Sequence, residues 1–231
     1  MHEILLDAPG KNAISTAVLE GLEQQLEQAA GEPVLLTGAG DAFSAGLNLV
    51  EVAGFDPSGL DGFLSLLDRV CAKLFDYPGV TVAWVNGHAI AGGSVLALCC
   101  DHRVGTENPK VKLGLNETAL GVTFPPLIQR ICEHRLGPRL APEVMLGAGL
   151  FGPEKAIELG ILHRLGTRED AEAEVARRAG HPAGAYAATK AILQRGVTGM
   201  SDGDLAKARA DSMTLWTGDD FRARIEAALG R

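Results

Sequence analysis

Hydrophobic positions recur with two periods along the chain, and these sort it into helices and strands. Val18, Leu22, Leu26 and Ala29 keep helical spacing behind Ser15, a residue suited to capping a first turn, and Gly31 with Pro33 ends the pattern. The apolar run Val34-Leu35-Leu36-Thr37 has the length of a strand and leads into a flexible glycine-bearing loop, Gly38 to Gly46. Leu60, Phe63, Leu64, Leu67, Val70, Cys71 and Leu74 mark a second amphipathic helix between Pro57 and Asp76. VTVAWV at 80–85 is dense in β-branched residues and predicts a strand, Asn86-Gly87 predicts a turn, and Gly92-Gly93 opens SVLALCCD, which is apolar on every side and so predicts a buried helix. His102-Arg103-Val104 and Val111-Lys112-Leu113 read as short strands. Strand and helix patterns alternate, the mark of an α/β layered fold.

Beyond Pro125-Pro126 the helical period takes over, at 127–136, 139–146, 154–159, 171–179 and 183–193, and from Leu205 to Leu229 with an interruption near Gly218. The stretch GHPAG at 180–184 is too short to separate two domains, so the pattern predicts one domain with a helical C-terminal extension.

Composition narrows the classes. A chain of 231 residues, 46% apolar and 22% charged, buries enough surface to hold together without disulfides. Its cysteines, Cys71, Cys99, Cys100 and Cys132, show no zinc-binding spacing; Cys99 and Cys100 fall within the buried helix and read as core residues, which fits a reducing compartment and predicts no metal. Twenty-nine acidic against 21 basic residues leave a net charge of −8, and without a basic stripe nucleic acid is not an expected partner. The opening MHEILLDAPGKNAIS lacks a signal peptide's basic and apolar segments, and no apolar run reaches the roughly 18 residues of a membrane span, so the expectation is a cytoplasmic protein with no membrane partner.

Two glycine-containing turns follow predicted strands: Ser44-Ala45-Gly46-Leu47-Asn48, and Asn86 to Gly93. Each can present free backbone N–H groups, which at a helix start suit a developing oxyanion; tight packing of the chain also explains glycines there. Glu117, in LGLNETALG, is either an exposed helix-cap residue, the commoner case, or a carboxylate whose pKa is raised by apolar surroundings and which can act as a general base. His88 reads as a hydrogen-bonded structural histidine. Asp101-His102-Arg103 is expected to end the buried helix in solvent.

AFSAGLNL at 42–49, VNGHAIAGGSVLALCCDHRV at 85–104 and KLGLNETALGV at 112–122 together resemble the crotonase, or enoyl-CoA hydratase/isomerase, superfamily in motif, order and spacing. The resemblance runs from Asn12-Ala13-Ile14-Ser15 to Leu159-Gly160-Ile161. It implies an α/β fold of the crotonase type, a spiral of ββα units over 1–170, with a helical C-terminal region, 171–231, that mediates trimers; a homotrimer or hexamer follows as an expectation. It also implies an acyl-CoA thioester substrate, with coenzyme A entering as part of the substrate and no separate cofactor.

By the same resemblance the N–H groups of Leu47 and Gly92 form an oxyanion hole, and Ala45, Gly46, Leu47, Asn48 and Leu49 line the acyl-CoA site with Gly92 and Val95. Hydratases of the family hold water between two glutamates. This chain has Val95 at the first of those positions and Glu117 at the second, a departure that disfavours hydration. GGSVLALCCD and GLNETALG resemble most the mitochondrial-type enoyl-CoA isomerases, in which one glutamate, here Glu117, moves a proton between carbons. Other crotonase-fold acyl-CoA reactions (hydration, dienoyl-CoA isomerisation, thioester hydrolysis) and a non-catalytic acyl-CoA binder are the alternatives. Lys11 lies where the family often carries a basic residue near the CoA phosphates, and is equally readable as a surface lysine. The N-terminus is shorter than usual for the family, which suggests that an opening strand has been trimmed.

Overall fold

The computed structural model describes residues 1–228, and its architecture follows from two parallel sheets that the chain visits in alternation. The larger sheet has the order β1 (His2–Leu6), β2 (Val34–Gly38), β4 (Thr81–Val85), β6 (His102–Gly105) and β8 (Arg164–Leu165); the smaller has β3 (Ala42–Ser44), β5 (His88–Ile90) and β7 (Leu113–Gly114). After β1, three successive turns each run one strand in the large sheet, one in the small sheet, then helix. Thus β2 and β3 lead to α3 (Leu49–Gly54) and α4 (Pro57–Phe75), β4 and β5 to α5 (Gly92–Cys99), and β6 and β7 to α6 (Pro126–Gly147). These are the ββα turns that the resemblance implied. Register is parallel throughout, with Leu36 opposite Ile4 on one side and Ala83 on the other.

Buried strands explain why the pattern reads as it does. All five residues of β2 are buried, so its apolar run does not alternate, as expected of a parallel sheet covered on both faces. One face packs in the main core with α2 (Thr16–Ala29), α4, α5 and α6; the other meets α8 (Arg168–Ala179) through Leu35, Val82, Val104, Ala171 and Val175. Ser15 caps α2, its Oγ accepting from Val18 N at 3.2 Å. All eight residues of α5 are buried, Cys99 among them, as its all-round apolar pattern required. The remaining helices are a distorted turn α1 (Pro9–Asn12), α7 (Pro153–Glu158), α9 (Ala183–Leu193), α10 (Asp202–Trp216) and α11 (Asp219–Ala228). Leu229, at the end of the last predicted helix, lies outside the described residues. No described helix is long and apolar enough to cross a membrane.

Several expectations are corrected. The 38–46 segment is not simply a flexible loop: Ala42–Ser44 forms β3 and is buried, because its partner β5 lies more than forty residues away in sequence. The two helices expected at 127–136 and 139–146 are kept: within Pro126–Gly147 the helical path breaks at Gly137 (φ 73°, ψ 168°), between them. Asp101-His102-Arg103 is not solvated. Arg103 is buried and donates to the carbonyls of Ile161 (2.8 Å), Cys100 (3.1 Å) and Gly160 (3.2 Å), while the His102 ring stacks on His163 at 4.3 Å. The sequence pattern missed this because the partners come from residues 160–190.

Candidate active site

Both glycine turns are held by buried side chains. In the first, Ser44 Oγ donates to Asn12 O at 2.8 Å and accepts from Gly46 N at 3.2 Å, while Asn12 Nδ2 donates to the carbonyls of Ala39 (2.9 Å) and Ala42 (2.8 Å). In the second, Ser94 Oγ donates to Ala89 O at 2.6 Å and accepts from Gly114 N at 3.1 Å, tying α5 to β5 and β7. Two glycines let the turns approach each other. A Cβ on Gly46, whose φ is +90°, would lie 2.8 Å from Ile90 O, and one on Gly93 would lie 2.3 Å from Ser44 O. Ala91, between them, is a non-glycine residue at φ 49°, ψ −119°, a strained conformation at the start of α5.

This arrangement leaves two amides free. Among the described residues, neither Leu47 N–H nor Gly92 N–H donates to a protein acceptor. The two residues are neighbours: a Cβ on Gly92 would come 3.3 Å from Leu47 Cδ2. Gly92 is also the first residue of α5, where the helix dipole favours negative charge.

A cavity of about 200 Å³ opens beside them, lined by Ala45, Leu47, Leu49, Gly92, Val95 and Glu117, together with apolar side chains from α4, α6, α10 and α11. Six of the expected site positions therefore meet on one surface. Gly46 and Asn48 do not. Gly46 lies behind the wall with its carbonyl accepting from Ile14 N, and Asn48 turns its side chain to cap α3 through Glu51 N at 3.3 Å. Lys11 is exposed, at φ 60°, with its amine 3.8 Å from Asp41. His88 is structural, as expected, its Nδ1 accepting from Lys112 N.

Glu117 is not the exposed cap that its residue type favoured. It precedes the single 3₁₀ turn Thr118–Leu120, makes no capping bond, and is only 7% exposed. Its Oε2 is fully buried, without a hydrogen-bond partner among the described residues. Burial drives its pKa up to about 8, and no cation among the described residues opposes the shift. Asn116 beside it also lines the cavity and has a buried, unpartnered Oδ1. An unmet carboxylate in an apolar hollow is able to take up a proton from a bound molecule. Larger hollows of about 940 and 630 Å³ border α6, but neither is lined by Glu117, Leu47 or Gly92.

Reasoning from sequence did not single out Asn116, Leu67, Phe124, Trp216 or Phe221, all in the cavity wall. Asn116 lies within KLGLNETALGV, next to Glu117. Trp216 carried a weaker signal, a large aromatic in a mostly polar helical segment. For the others, apolar side chains at helical spacing cannot be told from ordinary core.

The comparisons fall on one group of proteins. A family model described as Enoyl-CoA hydratase/isomerase matches residues 1–218. The human protein named enoyl-CoA delta isomerase 1, mitochondrial, is 30% identical over 196 residues, 81% of this chain, and the match spans just under two thirds, 65%, of that relative's length. A putative enoyl-CoA hydratase of Thermus thermophilus is 32% identical over 230 residues, covering 93% of this chain and 88% of the relative. Among solved structures, human mitochondrial delta3-delta2-enoyl-CoA isomerase superposes with a TM-score of 0.89 at 26% identity, covering 100% of this chain and 93% of that one.

Proposed function

The chain belongs to the enoyl-CoA hydratase/isomerase family, and from that premise we propose that it moves a β,γ double bond of an acyl-CoA thioester to the α,β position. The observation that carries this reading is the solitary carboxylate of Glu117, with an unmet oxygen in an apolar cavity. In a β,γ-enoyl thioester the proton at C2 is acidified by both the carbonyl and the alkene. Glu117 removes it, and the electron pair it leaves delocalises over the carbonyl and the alkene as a dienolate whose charge rests on the thioester oxygen. The N–H groups of Leu47 and Gly92 donate to that oxygen, each worth roughly 3 kcal/mol by comparison with other oxyanion holes. Protonated Glu117 then returns the proton to C4. The electrons fall back to form the C2–C3 double bond, and the base is regenerated.

Val95 bears on the choice of reaction. It stands where a hydratase of the family would carry the first of its two glutamates, and it lines the cavity as buried hydrocarbon. Hydration needs a water molecule held and activated on both sides, and Val95 offers it no hydrogen bond. The reading is tested by absorbance detection of conjugated thioester formed from 3-hexenoyl-CoA, with the Glu117→Gln variant and a crotonyl-CoA hydration assay alongside. Conjugation that depends on Glu117 is expected. Hydration faster than conjugation overturns it in favour of the function named for the Thermus thermophilus relative.

A homotrimer or hexamer is proposed with this activity, supported by the exposed apolar side chains of Leu146, Ile192, Leu193 and Leu215, and light scattering tests it. Cytoplasmic residence, the expectation from the N-terminus, stands against the mitochondrial location in the names of the human and mouse relatives; cell fractionation decides between them.

A further inference from the structure

The cavity is unlike at its two ends. Ala45, Leu47, Leu49 and Ile90 are half-buried, so this side is the mouth. Leu67, Phe124, Ile128, Trp216 and Phe221 are each no more than 6% exposed, so that side is blind. The blind end carries no charged side chain, and what enters it must be hydrocarbon.

Two residues of the C-terminal helices complete this end. Trp216, the last residue of α10, and Phe221, in the first turn of α11, meet edge-to-face with ring centroids 5.2 Å apart. Trp216 is tethered as well as packed: its indole N–H donates to Thr123 O at 3.1 Å, directly beside Phe124 of the same wall. Arg224 of α11 donates to Ala119 O at 3.1 Å, and Arg209 of α10 lies 3.6 Å from the buried carboxylate of Asp68 on α4. The pair is therefore fixed from three directions, and swinging the indole aside would leave a buried polar group unmet.

The space in front of this wall is small. An apolar cavity of about 150 Å³ admits a six-carbon ring, so about 200 Å³ admits a chain of roughly six to eight carbons. We propose that Trp216, backed by Phe221, is the stop that sets acyl chain length, and that the substrate is a straight-chain acyl-CoA of about six to eight carbons. This deepens the proposed function: it rests on the cavity taking the acyl group of the thioester, and not on which reaction follows.

The test is calorimetric titration of saturated acyl-CoA thioesters from butanoyl to tetradecanoyl into the wild type, Trp216→Ala and Phe221→Ala, with conjugation of the matching 3-enoyl thioesters followed in parallel. In the wild type, affinity is expected to rise by up to about fourfold per methylene and to level or fall beyond about eight carbons. In Trp216→Ala the break moves out by about four carbons, and in Phe221→Ala by about two, as each truncation opens the end wall. The ratio of dodecanoyl to hexanoyl affinity within one preparation does not depend on how much of it is folded, and Trp216→Phe, which keeps most of the ring, is expected to shift the break least. Affinity that climbs past twelve carbons in the wild type overturns the stop. So does a break that stays put in both alanine variants, or the absence of thioester binding at any length. Binding with the expected break but without conjugation upholds the stop and overturns isomerisation alone.

Discussion

Glu117 and Asp101 both lie in the interior, one in the cavity wall and the other where α5 gives way to β6, but their surroundings treat charge in opposite ways. Asp101 is met on every side: Thr81 N at 3.1 Å, Tyr186 OH at 2.9 Å, Lys190 Nζ at 2.9 Å and Arg135 Nη2 at 3.4 Å. Glu117 Oε2 has no partner among the described residues. The first arrangement docks an element. Lys190 is the one buried side chain of α9, whose Ile192 and Leu193 are 62% and 70% exposed, so this helix is held to the sheet by its ion pair more than by apolar contact. The second stabilises nothing in the resting protein and leaves a carboxyl group able to exchange a proton. A buried charge with partners is architecture, and one without them is a candidate for chemistry.

The sharpest way to break this comparison is Glu117→Gln. Conjugation is expected to fall by about 10² or more, the scale of losing a general base. Stability should move the other way. The folded protein holds the Glu117 proton up to about pH 8, whereas the unfolded chain releases it near an ordinary 4.5, so stability attributable to this group is fullest below about pH 4.5 and is lost as pH rises towards 8. Removing the titration should therefore make the variant more stable than wild type at pH 8 by about 4 kcal/mol, as read from urea unfolding. Equal or lower stability at pH 8 would mean that the carboxylate is solvated after all. The wild-type kcat/KM should likewise climb with pH to a plateau above about 8, and a plateau already reached at pH 6 would contradict the burial argument.

Lys190→Ala probes the opposite pole. Asp101 keeps Arg135 and Tyr186, so the expected cost is about 2–3 kcal/mol rather than the full penalty of an unpaired buried charge, with faster amide exchange over 183–193. Unchanged unfolding would show that α9 docks by other means. A smaller effect is expected at Gly46→Ala, where φ of +90° and the approach to Ile90 O strain any side chain. A loss of about 1–2 kcal/mol should come with roughly tenfold slower conjugation, because Leu47 N–H follows directly. Full activity there would detach the first glycine turn from the reaction.

The strength of each pattern in the sequence tracks how local its cause is. Ser15, the apolar stripe of α2 and the all-round apolar α5 are decided within a few residues, and each formed where its pattern put it. The β3 and β5 strands are three residues each and exist through partners distant in the chain, so 38–46 looked like loop. The motif pairing of Leu47, Gly92 and Glu117 marked a site, and the fold brings all three to one cavity. Asn48 shows the limit of that reading: it shares the motif, yet its side chain serves the cap of α3.

By itself the sequence determined the α/β alternation, the glycine turns and the family to which the chain belongs, since these rest on short-range spacing and on motifs kept in order. The tertiary structure alone decided that Glu117 is buried and unmet, that the Asp101 carboxylate is largely enclosed and satisfied, and that Trp216 closes the cavity. Each of these depends on groups gathered from distant segments, and the cost of desolvating a charge or the room left for a hydrocarbon chain is a property of the assembled surroundings.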